Sequence, residues 1–289
     1  MLATNLVSLV SLILYCLVLW VLIRHRRNRL NSSFFHLCIA LGLTDILYII
    51  HKYVRDTALW LLLDKVKHSI FLATLLAAVG DWMLPSAQWN GVIILTVNRF
   101  MAVARPFGFD AAWNSKVMKT AVLVQWSIGV AMGVGLAFPC CRNQFYVNQD
   151  GDRGEWFLHR QAAIPFLRIA VILELFTIST ILILYMSMVC ISYKHKQKMQ
   201  SRLQEEEYRR EKKMALMGFL ICLPLVVISC CDFAWLFHQQ AAVVVSIVYY
   251  SASTLLTCLN PWLLLIFSKL VRENFKKQFF FRSTVYPRM

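Results

Sequence analysis

Seven long apolar runs constrain this 289-residue chain more than any other feature. A helix crosses a bilayer core with about 20 apolar residues, and lipid offers the backbone polar groups no partner outside the helix itself. We therefore predict an all-α fold, a single seven-transmembrane helix bundle. The predicted spans are about 2–23, 34–54, 69–104, 120–140, 162–193, 214–237 and 241–267, followed by a cytoplasmic tail over 268–289.

The composition excludes a typical soluble protein. Apolar residues make up 59% of the chain and charged residues 16%, whereas soluble domains are about half apolar and about a quarter charged. The seven runs use most of the chain and leave short loops. We therefore expect no separate soluble domain.

The basic residues predict an orientation in the membrane. Of the 30 Lys and Arg residues, 22 fall in the segments on one side of the seven runs. Such segments are typically cytoplasmic, so the N-terminus is expected outside and the C-terminus inside. The net charge of +15 would suggest nucleic-acid binding in a soluble chain. Here the basic residues lie between apolar runs and serve to orient the chain, so we expect a lipid bilayer and no nucleic acid as partner.

Two cytoplasmic segments are predicted to be helical. Glu205 and Arg209, like Glu206 and Arg210, form opposite-charge pairs four residues apart, which favours a helix extending the fifth or sixth span. The segment 269–282 interleaves basic and aromatic residues. This pattern is typical of a short amphipathic helix lying on the inner membrane surface.

Acidic residues and prolines interrupt the apolar runs. Charges within a membrane are costly and usually functional, although a structural polar contact in the bundle interior is the alternative for each. Proline removes a backbone hydrogen bond and allows either a hinge or a rigid kink. The acidic residues are Asp45, Asp81, Glu174 and Asp232, and the prolines are Pro85, Pro224 and Pro261.

Several motifs occur in a fixed order along the runs. They are Asp45 in LGLTDILY, Asn98-Arg99-Phe100, Trp126, Phe219-x-x-Cys222-Leu223-Pro224 and Asn260-Pro261. On seven spans with this orientation, they resemble the rhodopsin-like G-protein-coupled receptors. The strings NSSFFHLCIALGLTDILYI and NRFMAVARP, with two cysteines after Pro139, resemble nematode serpentine chemoreceptors of the gamma-type superfamily, class V.

The chain departs from the rhodopsin-like pattern at several positions. Asn98 replaces the acid that precedes the arginine, so an ion pair at that position cannot restrain Arg99. Leu264 stands where the family has a tyrosine, and the tryptophan before Pro224 is missing. The usual cysteine of the third span is also absent. The cysteines after Pro139 are therefore free or reach the sixth span; they are Cys140 and Cys141, and the candidate partners are Cys230 and Cys231.

The resemblance implies a receptor with two functional ends. Arg99 would contact a heterotrimeric G protein, although an ordinary positive-inside arginine is the alternative. Residues of the coupling switch would be Asn98, Pro224, Asn260 and Pro261. In the family, a polar cluster corresponding to Asp45, Gln88 and Asn260 can hold a sodium ion; a hydrogen-bonded network without an ion is the alternative. No other cofactor is expected.

Asp81 is the first candidate ligand residue. It precedes Arg99 by 18 residues, which in an α-helix is about five turns, about 27 Å along the same face. In amine receptors, which this chain resembles at this position, an aspartate so placed pairs with the ligand's ammonium. Further candidates in the outer half are Trp82, Asp232 and Trp235, although aromatic residues at span ends are often interface anchors.

The expected function is that of a chemosensory receptor that binds an extracellular small molecule and activates a heterotrimeric G protein. The resemblance implies the plasma membrane, including that of sensory cilia. The alternative is a transporter or ion channel that uses the intramembrane carboxylates, but the chain shows no internal repeat. An enzyme is not expected, because the seven His residues are scattered and no two lie four residues apart.

Overall fold

The computed structural model describes residues 2–25, 32–61, 75–76, 78–105, 108–137, 143–147, 154–158, 160–197, 202–237 and 242–280. Its main elements are α1 (Leu2–His25), α2 (Ser33–Leu61), a π-helix (Ala78–Met83), α3 (Leu84–Ala104), α4 (Phe109–Ala112), α5 (Ser115–Ala137), β1 (Asn143–Val147), β2 (Gly154–Leu158), α6 (Arg160–Gln197), α7 (Arg202–Phe237), α8 (Ala242–Phe267) and α9 (Lys269–Phe279).

The helices form the predicted bundle. Stretches of α1, α2, α5, α6, α7 and α8 are long and apolar enough to cross a membrane. The third helix in order, α3, is more polar and packs against α2, α5, α6 and α7. Because its neighbours surround it, its polar side chains face other helices instead of lipid. The prediction of a seven-helix all-α bundle is confirmed.

The ends of the helices follow local chemistry. Asn114 Oδ1 accepts hydrogen bonds from the backbone N–H groups of Lys116 and Val117, so α5 begins at Ser115, before the predicted span. The mixed-charge segment that precedes the sixth span is continuous with α7, which begins at Arg202. The predicted extension is therefore confirmed, and it belongs to the sixth span.

The helix between Asp81 and Arg99 is not uniform. A uniform α-helix would place both on the same face, but Asp81 lies in the π-helix Ala78–Met83. Pro85 lacks the N–H that would bond to the carbonyl of Asp81, which favours the wider turn. Because this turn changes the register, Asp81 is exposed whereas Arg99 is buried.

A two-stranded antiparallel hairpin lies between α5 and α6, where the sequence predicted only a loop. Asn143 pairs with Leu158, and Phe145 pairs with Trp156. Both strands are rich in aromatic and β-branched residues, which fit a pleated strand. The hairpin marks one end of the bundle, called here the hairpin end. The opposite end, where α3 finishes, is called the Arg99 end.

The predicted C-terminal amphipathic helix is α9. The hydroxyl of Ser268 accepts a hydrogen bond from the backbone N–H of Val271 and caps its start. Val271 is fully buried and Phe275 packs against the core, whereas Lys276 and Lys277 are exposed. The helix therefore presents one apolar face to the bundle and one basic face outward.

The structure describes only one member of each cysteine pair that the sequence suggested. Cys140 and Cys141 lie outside the described residues. Cys230 and Cys231 of α7 are free thiols in the described part of the chain.

Glycines allow α5 to approach the start of the third span closely. A Cβ added at Gly129 would lie 2.6 Å from the backbone oxygen of Met83 and 2.9 Å from Ala87 Cβ. Real Cβ atoms do not approach so closely, and a backbone oxygen cannot swing away as a flexible side chain can. The contact between these two helices therefore requires glycine.

We predict that Gly129→Ala lowers the free energy of unfolding by about 1–3 kcal/mol, because the added methyl forces the two helices apart. Thermal unfolding of the purified protein measures this. Gly108→Ala is the matched control, because nothing lies within 4 Å of its added Cβ and its φ is −117°. Equal melting temperatures for the two variants would contradict the close packing.

Candidate functional site

A buried carboxylate lies in the middle of the bundle. Asp45 on α2 is 1% exposed. Its Oδ2 accepts a hydrogen bond from the Tyr15 hydroxyl of α1, and its Oδ1 accepts one from Gln88 Nε2 of α3 at 2.5 Å. These donors offset part of the cost of removing the carboxylate from water. One side chain therefore joins three helices.

The helix α8 completes this cluster. Gln88 Nε2 lies 3.4 Å from Thr257 Oγ1, and the Asn260 amide lies beside Asp45 and Tyr15. Both Nδ2 and Oδ1 of Asn260 are buried and form no hydrogen bond within the described residues. The structure thus brings together Asp45, Gln88 and Asn260, and it leaves one amide of the cluster unsatisfied.

Both predicted proline switch positions lie inside continuous helices. Pro261 follows Asn260 in α8 and removes the N–H that would bond to the carbonyl of Thr257. Pro224 is buried in α7 and does the same to the carbonyl of Leu220. Each helix therefore has a weakened turn within its membrane span.

Two polar members of this region were missed in the sequence. The Tyr15 hydroxyl of α1 donates to the Asp45 carboxylate, and Gln125 of α5 donates from Nε2 to Thr44 Oγ1 at 3.2 Å. Gln125 is 1% exposed. A single amide in an apolar run was the available signal, but its partner on α2 could not be inferred from spacing.

At the Arg99 end, an aromatic ring covers the arginine. The guanidinium carbon of Arg99 lies 3.4 Å from the centroid of the Phe34 ring of α2. Phe34 is 2% exposed and Arg99 is 7% exposed. A cation over an aromatic face is stabilised more when both are removed from water. The contact ties α3 to α2 where the sequence lacks the acid of the family motif.

Asn98 makes a second tie between the same helices. Its Nδ2 donates to Ser33 Oγ at 2.8 Å, one residue before Phe34. The amide that replaces the acid therefore holds the beginning of α2 and orients the residue that covers Arg99.

The helices α6 and α7 close the other side of Arg99. Tyr185 of α6 lies beside Arg99 and Thr96. Its ring packs edge-on against Phe219 of α7, with 5.8 Å between the centroids. A Cβ at Gly218 would come within 2.1 Å of the Tyr185 hydroxyl, so glycine leaves the space that this hydroxyl fills. Side chains from three helices thus enclose the arginine.

At the hairpin end, the candidate ligand residues lie on two helical segments. Asp81 is exposed and Trp82 is half-buried in the π-helix, and Asp232 is half-buried in α7. Trp235 belongs to α7, but its side chain lies outside the described residues. The carboxyl groups of Asp81 and Asp232 lie within electrostatic range of the Tyr249 hydroxyl of α8.

Glu174 was identified in the sequence as an intramembrane carboxylate but was not grouped with the ligand candidates. The structure places its carboxyl group in direct interaction with that of Asp232, and the Ser229 hydroxyl interacts with Glu174. The pairing joins α6 to α7. Spacing along the chain could not reveal it, because the two residues belong to separate helices.

Comparison with known proteins agrees with this architecture. The family model described as serpentine type 7TM GPCR chemoreceptor Srv matches residues 5–281. Serpentine receptor class V-1 from Caenorhabditis elegans is 32% identical over 127 residues, which is 42% of this chain and 40% of that receptor. The aligned part therefore spans less than half of this relative. The family match, by contrast, runs through all seven helices, so this multi-pass membrane protein belongs to the Srv family of serpentine seven-transmembrane chemoreceptors.

Proposed function

We propose that this chain is a chemosensory receptor that binds an extracellular small molecule at the hairpin end and activates a heterotrimeric G protein at the Arg99 end. The observation that carries the proposal is the Srv match over residues 5–281, on a bundle with polar groups at both ends. The proposed ligand residues are Asp81, Trp82, Asp232 and Trp235. The basic residues favour a plasma-membrane orientation with the Arg99 end in the cytoplasm.

Activation requires a change at the Arg99 end. Arg99 is 7% exposed beneath Phe34, so a cytoplasmic partner cannot reach it in this arrangement. A ligand shifts the bundle only if it binds the open state better than the closed state. We propose that the helices move at the weakened turns at Pro224 and Pro261. Asn98 and Asn260, which lie at contacts between helices, belong to the same switch.

A sodium ion fits the cluster around Asp45. Sodium takes hard oxygen ligands, and the cluster offers the Asp45 carboxylate, Thr257 Oγ1 and Asn260 Oδ1. Asn260 Oδ1 is buried without a hydrogen-bond donor among the described residues. A bound cation would satisfy this oxygen and offset the buried charge of Asp45. We propose that the ion stabilises the closed state.

The first prediction concerns Arg99 itself. Arg99→Ala should reduce ligand-stimulated nucleotide exchange by at least about tenfold, because the proposed contact with the G protein is lost. Exchange is measured on a panel of Gα subunits with membranes challenged by a pooled small-molecule library, and surface expression is measured alongside. Arg105→Ala is the control, because Arg105 is exposed at the end of α3. If the Arg99→Ala variant and the wild type show equal ligand-stimulated nucleotide exchange, Arg99 is not the G-protein contact.

The second prediction concerns the ring over Arg99. A buried cation–π contact contributes about 2 kcal/mol, so Phe34→Leu should raise ligand-free exchange by about tenfold or more. Phe35→Leu removes a neighbouring buried ring that packs against Phe34 with 5.3 Å between centroids, and it leaves the ring on Arg99 in place. A similar rise in both variants would show that general loss of packing, and not release of Arg99, is responsible.

The third prediction concerns sodium. At a sodium concentration about ten times the dissociation constant, binding stabilises the closed state by about 1.4 kcal/mol, which raises the melting temperature by about 2–4 °C relative to potassium at equal ionic strength. Asp45→Asn should abolish this difference, whereas Glu273→Gln on the exposed side of α9 should keep it. Identical melting of the wild type in both salts would favour a network without an ion.

A further inference from the structure

Two carboxyl groups face each other at the hairpin end, in the interior of the bundle. Glu174 comes from α6 and Asp232 from α7, and each interacts with the other. Two ionised carboxylates in contact and away from water repel each other strongly, so they require either a shared proton or a cation between them.

Glu174 has an open acceptor atom at this place. The residue is 3% exposed, and its Oε2 is buried without a hydrogen-bond partner in the described part of the chain. Buried polar atoms are nearly always paired, and an ionised carboxylate oxygen can only accept. In the ionised pair, the missing partner is therefore a hydrogen-bond donor or a cation. Asp232 is half-buried and gives the pair a more accessible side.

The surroundings favour a cation. Tyr249 of α8 lies within electrostatic range of the carboxyl groups of Glu174, Asp232 and Asp81 and of the Tyr48 hydroxyl of α2. Lys52 of α2 donates to Thr254 Oγ1 at 3.1 Å, more than one turn along α8 from Tyr249. An aromatic side chain beside carboxylates is the environment in which proteins hold organic ammonium groups.

A metal ion is less well matched to these groups. The described residues contain no set of three or more His, Cys, Asp or Glu side chains arranged to hold one. Two carboxyl groups and the Ser229 hydroxyl leave most of a metal's coordination sites unfilled. An ammonium needs only two or three acceptors and gains from the adjacent ring.

We propose that Glu174 and Asp232 bind the ammonium group of a small organic cation between α6 and α7, with Tyr249 beside it. Glu174 Oε2 accepts the hydrogen bond or close contact from the cation, and Asp232 supplies the second charge. The inference rests on the proposed receptor function for its physiological meaning, because it names the class of ligand. The binding itself can be tested without a G protein.

The experiment uses the full-length protein in lipid nanodiscs and follows thermal unfolding. The probes are choline and butylammonium, each compared with a neutral analogue of similar shape, 3,3-dimethyl-1-butanol and 1-pentanol, at constant ionic strength. We expect the ammonium ions to raise the melting temperature by about 2–4 °C near ten times the dissociation constant, and the alcohols to have no matching effect.

Variants identify the site. Glu174→Gln and Asp232→Asn should each weaken the apparent affinity for the ammonium probes at least about tenfold, because a negatively charged partner of the cation is lost. Glu273→Gln, on the exposed side of α9, should leave it unchanged. If Glu174→Gln does not fold, Asp232→Asn and the comparison of each ammonium with its alcohol still decide the question.

In the melting experiment, the inference would be overturned by equal stabilisation by ammonium and alcohol, by ammonium binding that survives both substitutions, by stabilisation only on acidification, or by stabilisation only by divalent metal ions. Failure of the receptor function has a different signature. Ammonium binding that needs Glu174 but never alters nucleotide exchange supports this site and counts against signalling. Exchange that needs Arg99 but is driven only by neutral compounds supports signalling and overturns this site.

Discussion

The Asp45 carboxylate is the interaction on which the rest of the bundle depends. Helices in lipid gain little from hydrophobic attraction to one another, so packing and interhelical hydrogen bonds must hold them. Asp45 accepts from Tyr15 of α1 and Gln88 of α3, and the Asn260 amide of α8 lies beside it. A charge that would be costly in lipid thereby fixes four helices around one point, and it explains why α3 tolerates so many polar residues at the centre of the bundle.

From this centre, the two ends differ in chemistry. At the Arg99 end a single arginine lies under an aromatic ring, with tyrosine and amide side chains around it. At the hairpin end carboxylates gather around Tyr249. A positive group is thus enclosed at one end and negative groups at the other. The turns weakened by Pro224 and Pro261 lie between them, and the proposed receptor mechanism uses these turns to connect the two ends.

The sequence predicted the seven helices, their order and the C-terminal helix, because apolar length and charge placement are local properties of the chain. The resemblance also implied that Asp45, Gln88 and Asn260 form a polar cluster. The sequence did not predict the π-helix that contains Asp81, the hairpin between α5 and α6, or the pairing of Glu174 with Asp232. The last of these depends on how separate helices rotate against one another, which periodicity within a single helix does not determine.

In the proposed mechanism, the replacement of an acid by Asn98 changes how the closed state is restrained. An ion pair with a neighbouring acid weakens when that acid takes up a proton, so it responds to pH. The ring of Phe34 carries no ionisable group, and the amide of Asn98 does not titrate. The restraint that these two residues provide between α2 and α3 therefore depends on packing at the start of α2, where Ser33 and Phe34 are adjacent. A small rotation of α2 moves both contacts together, so release of Arg99 is coupled to movement of a whole helix instead of to a single protonation.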